Sequence, residues 1–132
     1  MRKLLAASLG FGLSLTAPAF AQGNHVVGLV QGYTCMMADI PDSDRMNFTN
    51  PMSFKAAPDA SAPDALVVTP QVAVKTGAQP VNGFLPVLQA NGKEAWIEAS
   101  KVAPYSLPGM PRTKCYVAKM SNGAIGFSHP TE

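Results

Sequence analysis

"NGKEAWIEASKVAPY", residues Asn91–Tyr105, decides the fold. An Asn-Gly pair is the strongest short-range signal for a tight hairpin, because both residues accept the positive φ angles that such a turn needs. Asn91-Gly92 therefore predicts a turn inside "GFLPVLQANGKEAWIE", with one strand on each side. "ASKV", residues 99–102, offers a single helical turn, and Pro104 closes the segment.

The same grammar extends in both directions. In "LVVTPQVAVKT", Gln71, Ala73 and Lys75 alternate with Val72 and Val74, a period of two that belongs to a strand with one apolar face. "PDASAPDA", residues 58–65, is a polar loop. "HVVGLV", residues 25–30, predicts a short strand, and turn formers crowd the chain from Pro41 onward. Near the other end a second pair, Asn122-Gly123, separates "CYVAKM" from "AIGF". Twelve prolines and eleven glycines are spread along the chain, so no helix beyond about three turns fits outside the first residues. This pattern is all-β, and its order of strand, long loop, strand, hairpin, helical turn and last strand suits a small five-stranded barrel, which hides its edges by closing.

"GFLPVLQANGKEAWIEASKVAPY" resembles the closing half of a bacterial SH3-like (SH3b) domain, in which an Asn-Gly-Lys turn leads to Gly-Trp-Val/Ile, a short turn and a final strand. "MSFKAAPDASAPDALVVTPQVAVKTGAQPVNG" is compatible with the opening half. The resemblance covers about residues 50–105 and departs at Ala95, where the family has Gly; Ala there implies ordinary β backbone. It implies a five-stranded SH3-like barrel at 50–105 between an N-terminal arm (22–49) and a C-terminal arm (106–132). It also implies a non-catalytic binding role, with a cell-wall fragment, a peptide or an envelope protein as ligand. An inhibitor or accessory subunit of an exported enzyme is the alternative. The eukaryotic SH3 pattern differs at Glu98 and Lys101, which stand where that family has the Pro and Tyr of its polyproline groove, so PxxP recognition is not expected.

The ends carry a separate message. Met1-Arg2-Lys3, an uncharged apolar run from Leu4 to Thr16 and Ala19-Phe20-Ala21 compose a signal peptide over residues 1–21, cut after Ala21. A periplasmic or secreted protein with no membrane span in its mature part follows. Arg2 and Lys3 account for the whole excess of ten Lys and Arg over eight Asp and Glu. The mature chain is therefore neutral and lacks the cationic cluster that nucleic acid requires. Cys35 and Cys115 are too far apart for a Cys-x-x-Cys redox site, and in an exported chain they predict a disulfide that staples the two arms.

Trp96 is the foremost candidate for ligand contact, joined by Glu98, Lys101 and Tyr105 in one patch; packing of the indole over the barrel end is the other role open to it. A calcium loop starting at Asp42 fails, since Met46, Asn47 and Ser53 stand where an oxygen ligand, Gly and Glu are required. His25 and His129 have no ligand neighbours at metal spacing, and the methionines lack a repeated Met-x-x-Met. No cofactor is expected. The chain has no Gly-x-Ser-x-Gly elbow, no His-Glu-x-x-His and no phosphate-binding glycine loop, so no enzymatic role is expected either.

Overall fold

The computed structural model describes residues 23–131, with Gly10 and Gly12 before them. Apart from those two glycines, the expected signal peptide and its cut after Ala21 lie outside the described residues. No helix among the described residues is long and apolar enough to cross a membrane. The strands are β1 (Val26–Leu29), β2 (Tyr33–Ala38), β3 (Ser53–Lys55), β4 (Asp64–Val67), β5 (Gln71–Lys75), β6 (Phe84–Leu88), β7 (Glu94–Glu98), β8 (Val102–Pro104), β9 (Tyr116–Met120) and β10 (Ile125–Ser128). A helical turn, α1 (Asp42–Arg45), follows β2, and a 3-10 turn (Ala99–Lys101) joins β7 to β8.

Seven strands hydrogen-bond in the order β4-β3-β7-β6-β5-β2-β8, and three form a second sheet, β1-β9-β10. Phe54, Val68, Val72, Val74, Val87, Ala95 and Ile97 bury together on one face of the larger sheet. Ala65 in β4 and Val102 in β8, the two end strands, pack against that same cluster, so the sheet curls around a single core. β4 and β8 do not pair with each other, and the curled sheet stays open instead of closing into a barrel. β2, from the segment read as an arm, sits inside the strand order between β5 and β8.

A side chain does part of what strand pairing would do at the open end. Gln89, buried to 4% exposure, accepts the backbone N–H of Leu66 in β4 through Oε1 at 2.8 Å. Replacing it as Gln89→Leu leaves that donor unpaired, and the expected loss is about 1–3 kcal/mol, read from the urea midpoint of the variant.

The alternation in β5 serves two cores. Val72 and Val74 enter the first cluster, while Ala73, on the opposite face, is buried with Cys35 and Val117. The second sheet lies over that opposite face and adds Ile125 and Phe127 to the same packing. The face expected to be polar is therefore covered at its centre, at the one position where the residue is small. The Cys35–Cys115 disulfide, 80 residues apart in sequence, crosses between the sheets here, from β2 to the residue before β9.

Asn-Gly occurs three times and makes two kinds of turn. In the turns at Asn91-Gly92 and Asn122-Gly123 only the glycine has positive φ, at 78° and 85°. Each glycine N–H bonds back to the carbonyl three residues earlier, Gln89 and Met120, and each Asn side chain accepts the N–H two residues on. These are longer hairpin loops in which a type I turn is followed by a left-handed glycine. The two-residue turn expected at Asn91-Gly92 occurs instead at Asn82-Gly83, where φ is 51° and 81° and Val81 and Phe84 exchange both backbone hydrogen bonds. Only that arrangement requires two consecutive positive φ angles. Asn82 also donates from Nδ2 to the Pro58 carbonyl at 3.1 Å, tying the turn to the 58–65 loop. Within that loop the Ser61 backbone N–H and then its hydroxyl donate to Asp59 Oδ1, and these bonds hold the Asp59 carboxyl below the ordinary aspartate range.

Candidate functional site

β7 positions the central residue. Its burial alternates along Glu94–Glu98: Ala95 and Ile97 are buried in the core, and Glu94, Trp96 and Glu98 point the other way. Trp96 lies between Pro86 of β6 and Lys55 of β3 in the strand register. It is half-buried, with Pro86 beneath the same face fully covered. The indole is thus neither fully packed nor fully exposed.

It borders an open groove of about 490 Å³. Trp96, Glu98 and Lys101 line it together. The 3-10 turn brings Lys101 back to the same side as Glu98, which three further residues of extended strand would not do. Lys55 and Asp64 line a second wall, with the Lys55 ammonium donating to Asp64 Oδ1 at 2.6 Å across the β3–β4 pair. Asp44, Asn47 and Asn50 form the third. Asn47 Oδ1 accepts the Asn50 backbone N–H at 3.0 Å and folds that loop, while the Arg45 guanidinium donates to the Ile40 carbonyl at 3.2 Å and holds the helical turn in place.

Tyr105 does not join the patch. Its ring packs against the second core, with the His129 ring centroid 6.1 Å away, and its hydroxyl is buried without a hydrogen-bond partner among the described residues. β8 carries the chain away from the groove to pair with β2, so Tyr105, the next residue, emerges beside the disulfide. The expected four-residue patch is a three-residue patch supplemented by residues from β3, β4 and the 44–50 loop.

Asp44, Asn47, Asn50, Lys55 and Asp64 carry no local sequence signal for this role. The segment around Asp44 draws attention only as a calcium loop, and that pattern fails. The β3–β7 pairing, made at Lys55 and Trp96, is what carries these residues to the indole. Among the described residues no three His, Cys, Asp or Glu side chains converge as a metal site. Both cysteines are in the disulfide.

The groove combines a flat apolar surface, two carboxamides, carboxylates and ammonium groups. Such a set can stack on a ring or an apolar side chain and hydrogen-bond its polar rim. A second, smaller cleft of about 330 Å³ lies between β4 and β10, lined by Leu66, Val67, Leu88, Ile125 and Phe127 among others, with no charged residue. No family model, curated protein or solved structure matches this chain.

Proposed function

We propose that this chain is a non-catalytic, exported binding module of SH3-like architecture whose ligand lies in the Trp96 groove. The ligand class is a cell-wall fragment, a peptide or an envelope protein. The observation that carries the reading is the half-buried Trp96, held on a rigid strand and flanked by Glu98 and Lys101 at a polar groove. The curled sheet supports the architectural part: its β3–β8 strands fall within residues 53–104 and, with β2, wrap one core, with the β6–β7 hairpin at their centre. The disulfide supports the compartment, because such bonds persist where the surroundings are oxidising.

Trp96 is the only tryptophan, so its fluorescence reports on the groove directly. Ligand in the groove is expected to shield the indole from acrylamide. Trp96→Ala is expected to weaken binding to purified wall sacculi or envelope peptide by about tenfold or more, equivalent to about 1.4 kcal/mol, while the variant keeps its cooperative unfolding. A folded Trp96→Ala protein that binds as well as the unaltered one removes the groove from consideration.

One observation favours the second reading, an inhibitor or accessory subunit of an exported enzyme. Met46 and Phe48 are 73% and 81% exposed on the loop that forms the groove wall. Large apolar side chains held out beside a groove suit a protein partner more than a polar polymer. Comparing pull-downs on wall sacculi with those on a periplasmic extract separates the two, since Phe48→Ser should disturb only capture of a protein.

A further inference from the structure

We infer that two copies of this chain pair through the outer edge of β1, joining their three-stranded sheets into one antiparallel sheet. Among the described residues four strands end the two sheets: β4, β8, β1 and β10. An end strand presents unpaired backbone donors and acceptors, and proteins usually guard such edges against another strand.

Three of the four are guarded. The Leu66 N–H of β4 is taken by the buried Gln89. The Ile125 N–H of β10 is taken by the Ala90 carbonyl at 2.9 Å. β8 is three residues long and ends in Pro104, which has no N–H to offer.

β1 has none of these protections. Among the described residues it pairs only with β9. From His25 to Val30 there is no Lys, Arg, Asp, Glu or Pro. Its one irregularity is a bulge between Val26 and Gly28, a partial obstacle that leaves Gly28 and Leu29 in regular pairing. Val26, Val27 and Leu29 are 39%, 56% and 53% exposed.

The neighbouring surface is apolar as well. Along β9, Tyr116 and Met120 lie on the face opposite Val117, which faces the second core; Tyr116 is exposed, Met120 is half-buried and Ala118 between them is buried. Val26 pairs with Met120, Leu29 and Gly126 with Ala118, and Ser128 with Tyr116, so this side of the sheet carries no charge.

The occupant that fits is the same strand from a second copy. A two-fold axis between Val27 and Gly28 sets Val26 of one copy against Leu29 of the other, so each strand supplies the backbone groups its mate lacks. The arrangement is self-complementary and closes at two subunits. A charged partner strand would gain nothing from this neutral edge. The pairing spans a four-residue strand, well below the ~1,000 Å² of a stable interface, so it is a weak, concentration-dependent equilibrium.

Sedimentation velocity on the purified protein with its disulfide intact, up to about 1 mM, tests the pairing. The expected result is a mass that rises toward the dimer, with amide-exchange protection at Val26–Leu29 rising in parallel. Val27→Lys places a charge on the exposed edge and is expected to weaken association at least tenfold. Leu66→Lys, on the guarded β4 edge, is expected to leave it unchanged. A protein that stays monomeric throughout overturns the proposal, as does Val27→Lys protein that associates like the unaltered one. Should Val27→Lys not fold, exchange on the unaltered protein decides, and concentration-independent protection at Val26–Leu29 overturns the pairing.

Discussion

Loss of the Cys35–Cys115 disulfide is expected to lower stability by about 4.5 kcal/mol, the chain-entropy value for a loop of 80 residues. That is a large part of the 5–15 kcal/mol that holds a typical small domain together. The location adds a second consequence. The bond ties β2, inside the larger sheet, to the residue before β9, the central strand of the smaller one. Few other strong ties join the sheets: among the described residues the second core has three buried members, Cys35, Ala73 and Val117. In the Cys35→Ser/Cys115→Ser protein the three-stranded sheet should therefore open first. Hydrogen exchange is expected to speed up at Tyr116–Met120 and Ile125–Ser128 well before it does at Phe84–Leu88. Urea unfolding gives the total loss, and a change below about 1 kcal/mol would falsify the staple as a main source of stability.

Phe54→Ala is expected to cost about 3–5 kcal/mol, the range for truncating a buried phenylalanine. Phe54 is 4% exposed and is the one aromatic residue among the buried members of the first core. Its effect should reach the groove too. Its chain neighbours on β3, Ser53 and Lys55, line the groove, and Lys55 is the sole register contact between β3 and β7. Once the Phe54 anchor is gone, β3 can move away from Trp96, so indole emission should shift to the red even where the protein remains folded. Trp96→Ala offers the contrast, since its half-buried ring, beside Pro86 in the strand register, belongs to neither core. Thermal unfolding of the two variants side by side should show the larger drop for Phe54→Ala. The reverse order would mean that the tryptophan holds the fold and the groove is incidental.

How much of this was legible in the sequence depends on how local each signal is. The hairpin at Asn91-Gly92, the alternation of β5, the 3-10 turn and the β1 strand each arise from residues within a few positions of one another, and each is read directly from "NGKEAWIEASKVAPY", "QVAVK" and "HVVGLV". The pairing of two distant cysteines in one chain was legible as well, since no other cysteine competes for either partner. Turn type was not: three Asn-Gly pairs look alike, yet only Asn82-Gly83 places both residues at positive φ, because only there do the flanking residues Val81 and Phe84 pair directly.

The groove and the open sheet belong to the tertiary structure. Trp96, Glu98 and Lys101 share one side because they are neighbours in sequence. Tyr105, as close in sequence to Lys101 as Lys101 is to Ile97, leaves them because β8 turns away to pair with β2, more than sixty residues earlier in the chain. Lys55 comes beside Trp96 only through the β3–β7 pairing, and Asp44 shares the groove with them. A period of two shows that a strand has two faces, and in β5 it separates Ala73 from Val72 and Val74. It cannot show that both faces are buried, since that requires the second sheet to be folded over Ala73. Turns and strands follow from sterics and hydrogen bonds between near neighbours, so the amino-acid sequence by itself determined them. Which face is covered, which edge stays free and which side chains meet at Trp96 depend on contacts between distant segments, so only the tertiary structure decided them.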